Sequence, residues 1–278
     1  MPNSGVTDSP GKPWPSLRIV AALFAVVLVA LIADAAFRER GDFDYALMRP
    51  ICRIGIPGFE PVLRFVSQLT GSFWAITLWA AMLAAFLVFR RWLEAAAMAA
   101  FPAAGAVNSL IRAAVGRSRP DFAELKFEQF QGIGNHNDYV SFPSGHVVGA
   151  VLLYGFLFIL AREIRFAPAR WLLRAGAAAI ILLAGVARVW LGAHWVGDVL
   201  AGYALGGLAL LVIGVMYRDL APTVRGVPLI RAGFVPHDDS LPHAHALTST
   251  ILFRAGEVTK VYNPGFVPRM IYWLAFQA

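Results

Sequence analysis

Six apolar runs, each long enough to cross a lipid bilayer as a helix, constrain this chain more than any other feature. They fall near 18–37, 71–90, 92–114, 146–162, 170–191 and 195–217. A hydrocarbon core of about 30 Å takes ~20 helical residues, and a backbone inside lipid must satisfy its own polar groups, which these runs can do as helices. The expected fold class is all-α, a six-transmembrane-helix bundle. Composition agrees, since 58% of the 278 residues are hydrophobic and 15% charged, with a mean hydropathy of +0.63, unlike a soluble domain. The second run, SFWAITLWAAMLAAFLVF, carries no charge, whereas the third holds Glu94, Pro102 and Asn108 and the fifth holds Arg174 near its start. Arg18, the first run and Ala33-Asp34-Ala35 imitate a signal peptide with its cleavage site. The apolar stretch continues to Phe37, and its removal would leave an odd number of spans, so it is read as a span.

The spans divide the chain into a polar tail at 1–17, a membrane domain at 18–217 and a small C-terminal extramembrane segment at 218–278. In the last segment, residues 249–262 alternate as a hairpin would, turning at Ala255-Gly256, and PRMIYWLAFQA reads as an interfacial helix. His237, Asp238, Asp239, His243 and His245 also lie there, but they match no tight metal-ligand spacing and Pro236 and Pro242 mark a loop. No metal and no cofactor are expected. Cys52 is the only cysteine, which excludes an intrachain disulfide.

Lys and Arg in short loops set the orientation. With the N-terminus cytoplasmic, the turns holding Arg90 and Arg91, and Arg162, Arg165 and Arg170, face the cytoplasm. The other side carries Arg38, Arg40, Arg49 and Arg53, with Glu39, Asp42 and Asp44 among them. Loops facing anionic head groups account for a net charge of +7 without nucleic acid. The expected setting is a bacterial inner (plasma) membrane.

Three motifs then converge. Arg112 and Arg119-Pro120 close the third span, Pro143-Ser144-Gly145-His146 opens the fourth, Arg188 and His194 end the fifth, and Asp198 opens the sixth. In six alternating spans all of these reach one membrane face, the non-cytoplasmic one. A helix opening at Ser144 and Gly145 presents unsatisfied N–H groups and a positive dipole end to an anion, and Gly145 lets the backbone come close. Arg112, Arg119 and Arg188 offer paired donors that match phosphate oxygens. His194 and Asp198, four apart, share a helix face. An aspartate on Nδ1–H would fix the tautomer and leave Nε2 to attack phosphorus, with His146 as general acid. Arginines at span ends are usually snorkelling anchors, the reading given to Arg38, Arg90 and Arg170. Gly202 and Gly206 read as helix packing. The loop from Asp121 to Phe142 holds five aromatics, consistent with an interfacial lid or with plain anchoring.

The segments RAAVGRSRP, PSGH and ARVWLGAHWVGD resemble the three motifs of the phosphatidic acid phosphatase type 2 superfamily, Lys-x6-Arg-Pro, Pro-Ser-Gly-His and Ser-Arg-x5-His-x3-Asp. Arg112 stands at the lysine position and keeps its charge; Ala187 stands at the serine position and lacks the hydroxyl. The resemblance covers about 18–217. It implies a membrane phosphatase that works through a phosphohistidine on His194, with Asp198 orienting it, His146 as acid, and Arg112, Arg119, Ser144, Gly145 and Arg188 holding phosphate. Its partners would be a lipid phosphate and the bilayer. A lipid phosphotransferase would use the same site. A six-helix anion transporter fits less well, because a conduction path should place charges at several depths. Oligomeric state and the particular lipid phosphate are not encoded in these features.

Overall fold

A computed structural model describes residues 15–37, 42–120 and 140–226, and among these every regular element is helical. The elements are α1 (Pro15–Phe37), α2 (Asp42–Cys52), α3 (Phe59–Leu69), α4 (Ser72–Val88), α5 (Trp92–Ala99), α6 (Phe101–Val115), α7 (Gly145–Leu160), a 3-10 turn (Ala161–Glu163), α8 (Ala167–Trp190) and α9 (Val196–Gly226). Five spans are long and apolar enough to cross a membrane, and α3 with α4 forms a sixth that bends by 53°. The chain is an integral membrane protein with the expected bundle. Positions 1–14, Arg38, Glu39, Arg40, the loop 121–139 and the C-terminal hairpin, histidines and interfacial helix lie outside the described residues.

The departures from straight spans have local causes. At the α3–α4 bend the Thr70 hydroxyl turns back onto the Val66 carbonyl at 2.9 Å, and a Cβ on Gly71 would come within 3.0 Å of the Gln68 carbonyl. Inside the third span, Pro102 has no N–H to give the Met98 carbonyl, and the Trp79 indole donates to that oxygen at 2.8 Å instead. Glu94, which looks out of place in that span, is 2% exposed and is bonded by Arg91 and, at 2.8 Å, by the Tyr217 hydroxyl. Arg174 lies 5.4 Å from the Trp171 ring and 5.2 Å from that of Phe158, which favours its charge by cation–π contact.

Helices α7, α8 and α9 form the centre, with α1 against α9 and α3 against α8. Gly202 and Gly206 make the α7–α9 seam: a Cβ on Gly202 would stand 2.9 Å from the Ser144 carbonyl, and one on Gly206 2.9 Å from Val151 Cβ. Phe156 packs edge-on with Phe101 at 5.7 Å and Tyr217 at 6.2 Å. One aromatic of the expected lid is corrected here, since Phe142 is fully buried in this core rather than facing the interface.

Two short helices were not anticipated. The weak apolar content of 42–69 gave no span, yet α2 and α3 form there and bring Asp44 and Ser67 to the end of the bundle where the motifs meet. Asp44, expected among loop charges, is 1% exposed.

Candidate active site

Each motif residue is held by the end of a helix. Gly116, at φ 64°, caps α6 in the left-handed region and donates to the Arg112 carbonyl at 3.0 Å, which ends the helix before 117–120. Ser144 caps α7 with extended backbone, donates its own N–H to the Asp198 carbonyl at 3.0 Å, and keeps a buried hydroxyl without a partner. At the end of α8, Gly192 (φ 66°) lets the chain fold back, so that Ala193 and His194 both donate to the Arg188 carbonyl, at 3.0 and 3.2 Å. Asp198, third in α9, accepts the Trp195 N–H at 2.9 Å, the carboxylate half of a capping box.

The three arginines reach neutral oxygens around this junction. Arg112 donates to the Pro143 carbonyl at 3.4 Å, Arg119 to the Ala193 carbonyl at 3.0 Å and Arg188 to the Ser67 hydroxyl at 2.9 Å. Nε of Arg112 and of Arg188 has no partner. All three are half-buried, as are Gly145 and His146. Electrostatic interaction joins His146 to Arg188, His194, Arg119 and Arg112, so the histidine of the second motif faces the charges of the other two. A Cβ on Gly145 would stand 3.5 Å from Asn108, so this glycine leaves an open approach rather than relieving a clash. Ala187 is fully buried against Leu63 and Trp190, and the hydroxyl next to Arg188 comes from Ser67 on α3.

His194 is 1% exposed, and its Nδ1 faces Asp198 Oδ2 at 3.4 Å, long for a hydrogen bond. Both Asp198 oxygens have closer partners, the Trp195 N–H and, at 3.0 Å, the Arg117 guanidinium. Burial pushes the His194 imidazole down to about 4, with Arg188 and Arg119 adding to the effect and Asp198 opposing it. The ring is therefore neutral at physiological pH, with a lone pair available.

Sequence reasoning missed the residues behind Asp198. Arg117 is 4% exposed, binds Asp198 with one nitrogen and Asp44 with another, and lies 5.6 Å from the Trp195 ring centre. Asp44 also accepts the Gly197 N–H at 2.7 Å, and Trp195 donates its indole N–H to the Ser118 carbonyl at 2.9 Å. Arg117 stands inside the first motif segment and was visible as a further cation. Nothing in α2 marked Asp44.

Comparison with known proteins follows this geometry. Residues 91–221 match the model of the PAP2 superfamily. A phosphatidylglycerophosphatase B of Bacillus subtilis is 28% identical over 194 residues, which span 69% of this chain and 90% of that protein. A lipid A 1-phosphatase of Rhizobium etli is 36% identical over 117 residues, 41% of this chain and 45% of that relative. The crystal structure of a transmembrane PAP2 type phosphatidylglycerolphosphate phosphatase from Bacillus subtilis shares the fold, with a TM-score of 0.57 at 22% identity, over 73% of this chain and 96% of that one. The matched stretch contains all three motifs and the helix ends that assemble them, and over these residues the chain is similar to the PAP2 superfamily.

Proposed function

We propose that this protein is a lipid phosphate hydrolase that removes a terminal phosphate or diphosphate from a membrane lipid through a phosphohistidine on His194. One observation carries the reading: a buried, neutral imidazole has its Nδ1 side on Asp198, and Arg188 and Arg119 act on it electrostatically. The relatives named as lipid phosphatases support it. The phosphate would sit on the free N–H groups at the start of α7, with Arg112, Arg119 and Arg188 around its oxygens.

His194 Nε2 attacks phosphorus, and the P–O bond to the lipid breaks as the P–N bond forms. His146 gives a proton to the leaving oxygen. It then takes one from a water molecule whose oxygen attacks phosphorus, which breaks the P–N bond and releases inorganic phosphate. Charge that builds on the equatorial oxygens meets fixed guanidinium and amide donors. These donors supply the positive charge a metal would otherwise bring, so activity is expected to survive EDTA.

The test is a phosphate-release panel on purified protein, with acid quenching to trap the phosphoenzyme. His194→Ala should release no phosphate and trap no acid-labile, base-stable adduct. A fully active variant would falsify the mechanism.

The site faces the periplasm in this reading. Arg90, Arg162, Arg165 and Arg170 gather at the opposite end, while Arg91 there is matched by Glu94 and Glu163. In a background lacking Cys52, a cysteine at Ile56, which is 63% exposed at the site end, should react with an impermeant thiol reagent on intact cells. A cysteine at Ala167 should not. The reverse pattern turns the protein over.

A further inference from the structure

The site continues into a cavity that the chemistry above does not use. It measures about 460 Å³ and lies between α4, α6 and α7, with Gly145 and Asn108 at its polar end and side chains such as Trp79, Val148 and Leu152 around the rest. Ile76 in its wall is 61% exposed, and Pro102 and Gly105 are exposed too, so the cavity opens sideways between α4 and α6 onto the lipid-facing surface. Its walls are almost wholly apolar. Asn108 is the exception.

Asn108 is 7% exposed and its Oδ1 is buried without a hydrogen-bond partner. A buried amide oxygen left unbonded is destabilising, and a polar group at membrane depth is costly to keep. The residue stands one turn before Arg112 on the same face of α6, and its Nδ2 lies 3.5 Å from where a Gly145 Cβ would be. The carboxamide therefore sits between the phosphate cradle and the apolar cavity, about one helical turn deeper than the guanidinium. A lipid whose phosphate rests on the α7 N-terminus would pass its first few carbons beside Asn108 before its chain enters the cavity.

Building on the phosphatase reading, we propose that Asn108 is a specificity-determining residue: its carboxamide turns to accept, through Oδ1, a hydrogen bond from a hydroxyl or amide N–H on the carbon next to the phosphate-bearing one, with the hydrocarbon chain beyond lying in the α4–α6–α7 cavity. The site would thus favour glycerol-type or amide-bearing lipid phosphates over isoprenoid phosphates, which offer no donor there. A site built to bond a hydroxyl rejects the analogue without it, because the protein group is then left unpaired.

Two lipids that differ by one atom test this: a 1-acylglycerol 3-phosphate and the same molecule without its 2-hydroxyl, each hydrolysed by the full chain in detergent. The wild-type protein should prefer the hydroxylated lipid by about tenfold or more in kcat/KM. Asn108→Leu should remove that preference, mostly by losing rate on the hydroxylated lipid, and Asn108→Ala should do the same if the leucine variant folds poorly. The ratio is internal to each preparation, so partial loss of folded protein does not change it. Equal wild-type rates on the two lipids, or a preference that survives both substitutions, overturns the role of Asn108 alone. Release from neither lipid while other lipid phosphates of the panel are hydrolysed also overturns the Asn108 role, and release from no lipid phosphate at all sinks the phosphatase reading, and this one with it. The chain path has its own reading. A Cβ at Gly149, in the cavity wall, would meet nothing within 4 Å, so the side chain of Gly149→Leu starts in open space and should slow long-chain more than short-chain phosphates. Equal slowing of both would remove the chain from this cavity.

Discussion

The two ends of the bundle each bury a cluster of ionisable side chains, with opposite charge balance. At the end away from the motifs, Arg91 meets two carboxylates, Glu94 and Glu163, and the Tyr217 hydroxyl bonds Glu94. At the motif end, Arg112, Arg117, Arg119 and Arg188 gather around Asp44 and Asp198. The first cluster satisfies its cation with acids and ties together the start of α5, the end of α7 and α9. The second directs both acids to one arginine, Arg117, while Arg112 and Arg188 meet a carbonyl and a hydroxyl oxygen. Such neutral acceptors are weaker partners than an anion, which is the basis for proposing that the motif end takes up a phosphate while the other end stays closed.

Substitution of two arginines that are alike in kind and differ in role breaks this contrast most sharply. Arg188→Ala removes a donor that the proposed mechanism assigns to phosphate, and kcat/KM should fall about 10²–10³-fold, while stability changes little because its partner is the Ser67 hydroxyl. Arg117→Ala should cost about 3–5 kcal/mol of stability, because two buried carboxylates, Asp44 and Asp198, lose their shared cation. Kinetics and thermal unfolding in detergent read both effects. If Arg117→Ala folds as well as wild type, the carboxylates are not held by this ion pair, and the division between pinning and capturing arginines fails.

What was legible in the sequence follows the same division. The spans were legible because lipid imposes length and apolarity on contiguous residues, and the three motif arginines because they sit at fixed spacings beside helix ends. Arg117 and Asp44 were not read as a pair, since they are 73 positions apart and join only when α2 folds over the start of α9. The α3–α4 bend was hidden for another reason. Apolar periodicity reports that a segment is buried in lipid, whereas the bend depends on Thr70 and Gly71 meeting the last turn of α3. Asn108 was visible as a polar residue in a span, but its meaning depends on the cavity beside it.

A smaller effect is expected at the closed end. Glu94→Gln leaves Arg91 with Glu163, whose two oxygens lie 2.9 and 2.7 Å away, so the guanidinium keeps an anionic partner. The loss should be about 1–2 kcal/mol, within the range of a hydrogen bond to a charged group, and phosphate release by the folded protein should match wild type. A drop in turnover without loss of stability would mean that the two ends are coupled, and the contrast would need redrawing.

The smallest effect concerns protons at the motif end. His194 in the folded protein titrates near 4 rather than at 6.5, because burial and the nearby arginines disfavour its cation. Between these values the unfolded chain binds a proton that the folded chain does not. The contribution of this histidine is therefore complete above about pH 6.5 and is lost as pH falls toward 4, with a slope of at most about 1.4 kcal/mol per pH unit. His194→Gln cannot titrate. The stability difference between wild type and this variant should be flat from pH 8 to 6.5 and should then shift against wild type by up to about 3 kcal/mol as pH 4 is approached. Taking the difference cancels carboxylates common to both proteins. A difference that stays flat to pH 4.5 would mean the imidazole is charged or solvated in the fold, and a neutral nucleophile held ready among the arginines would no longer describe this end of the bundle.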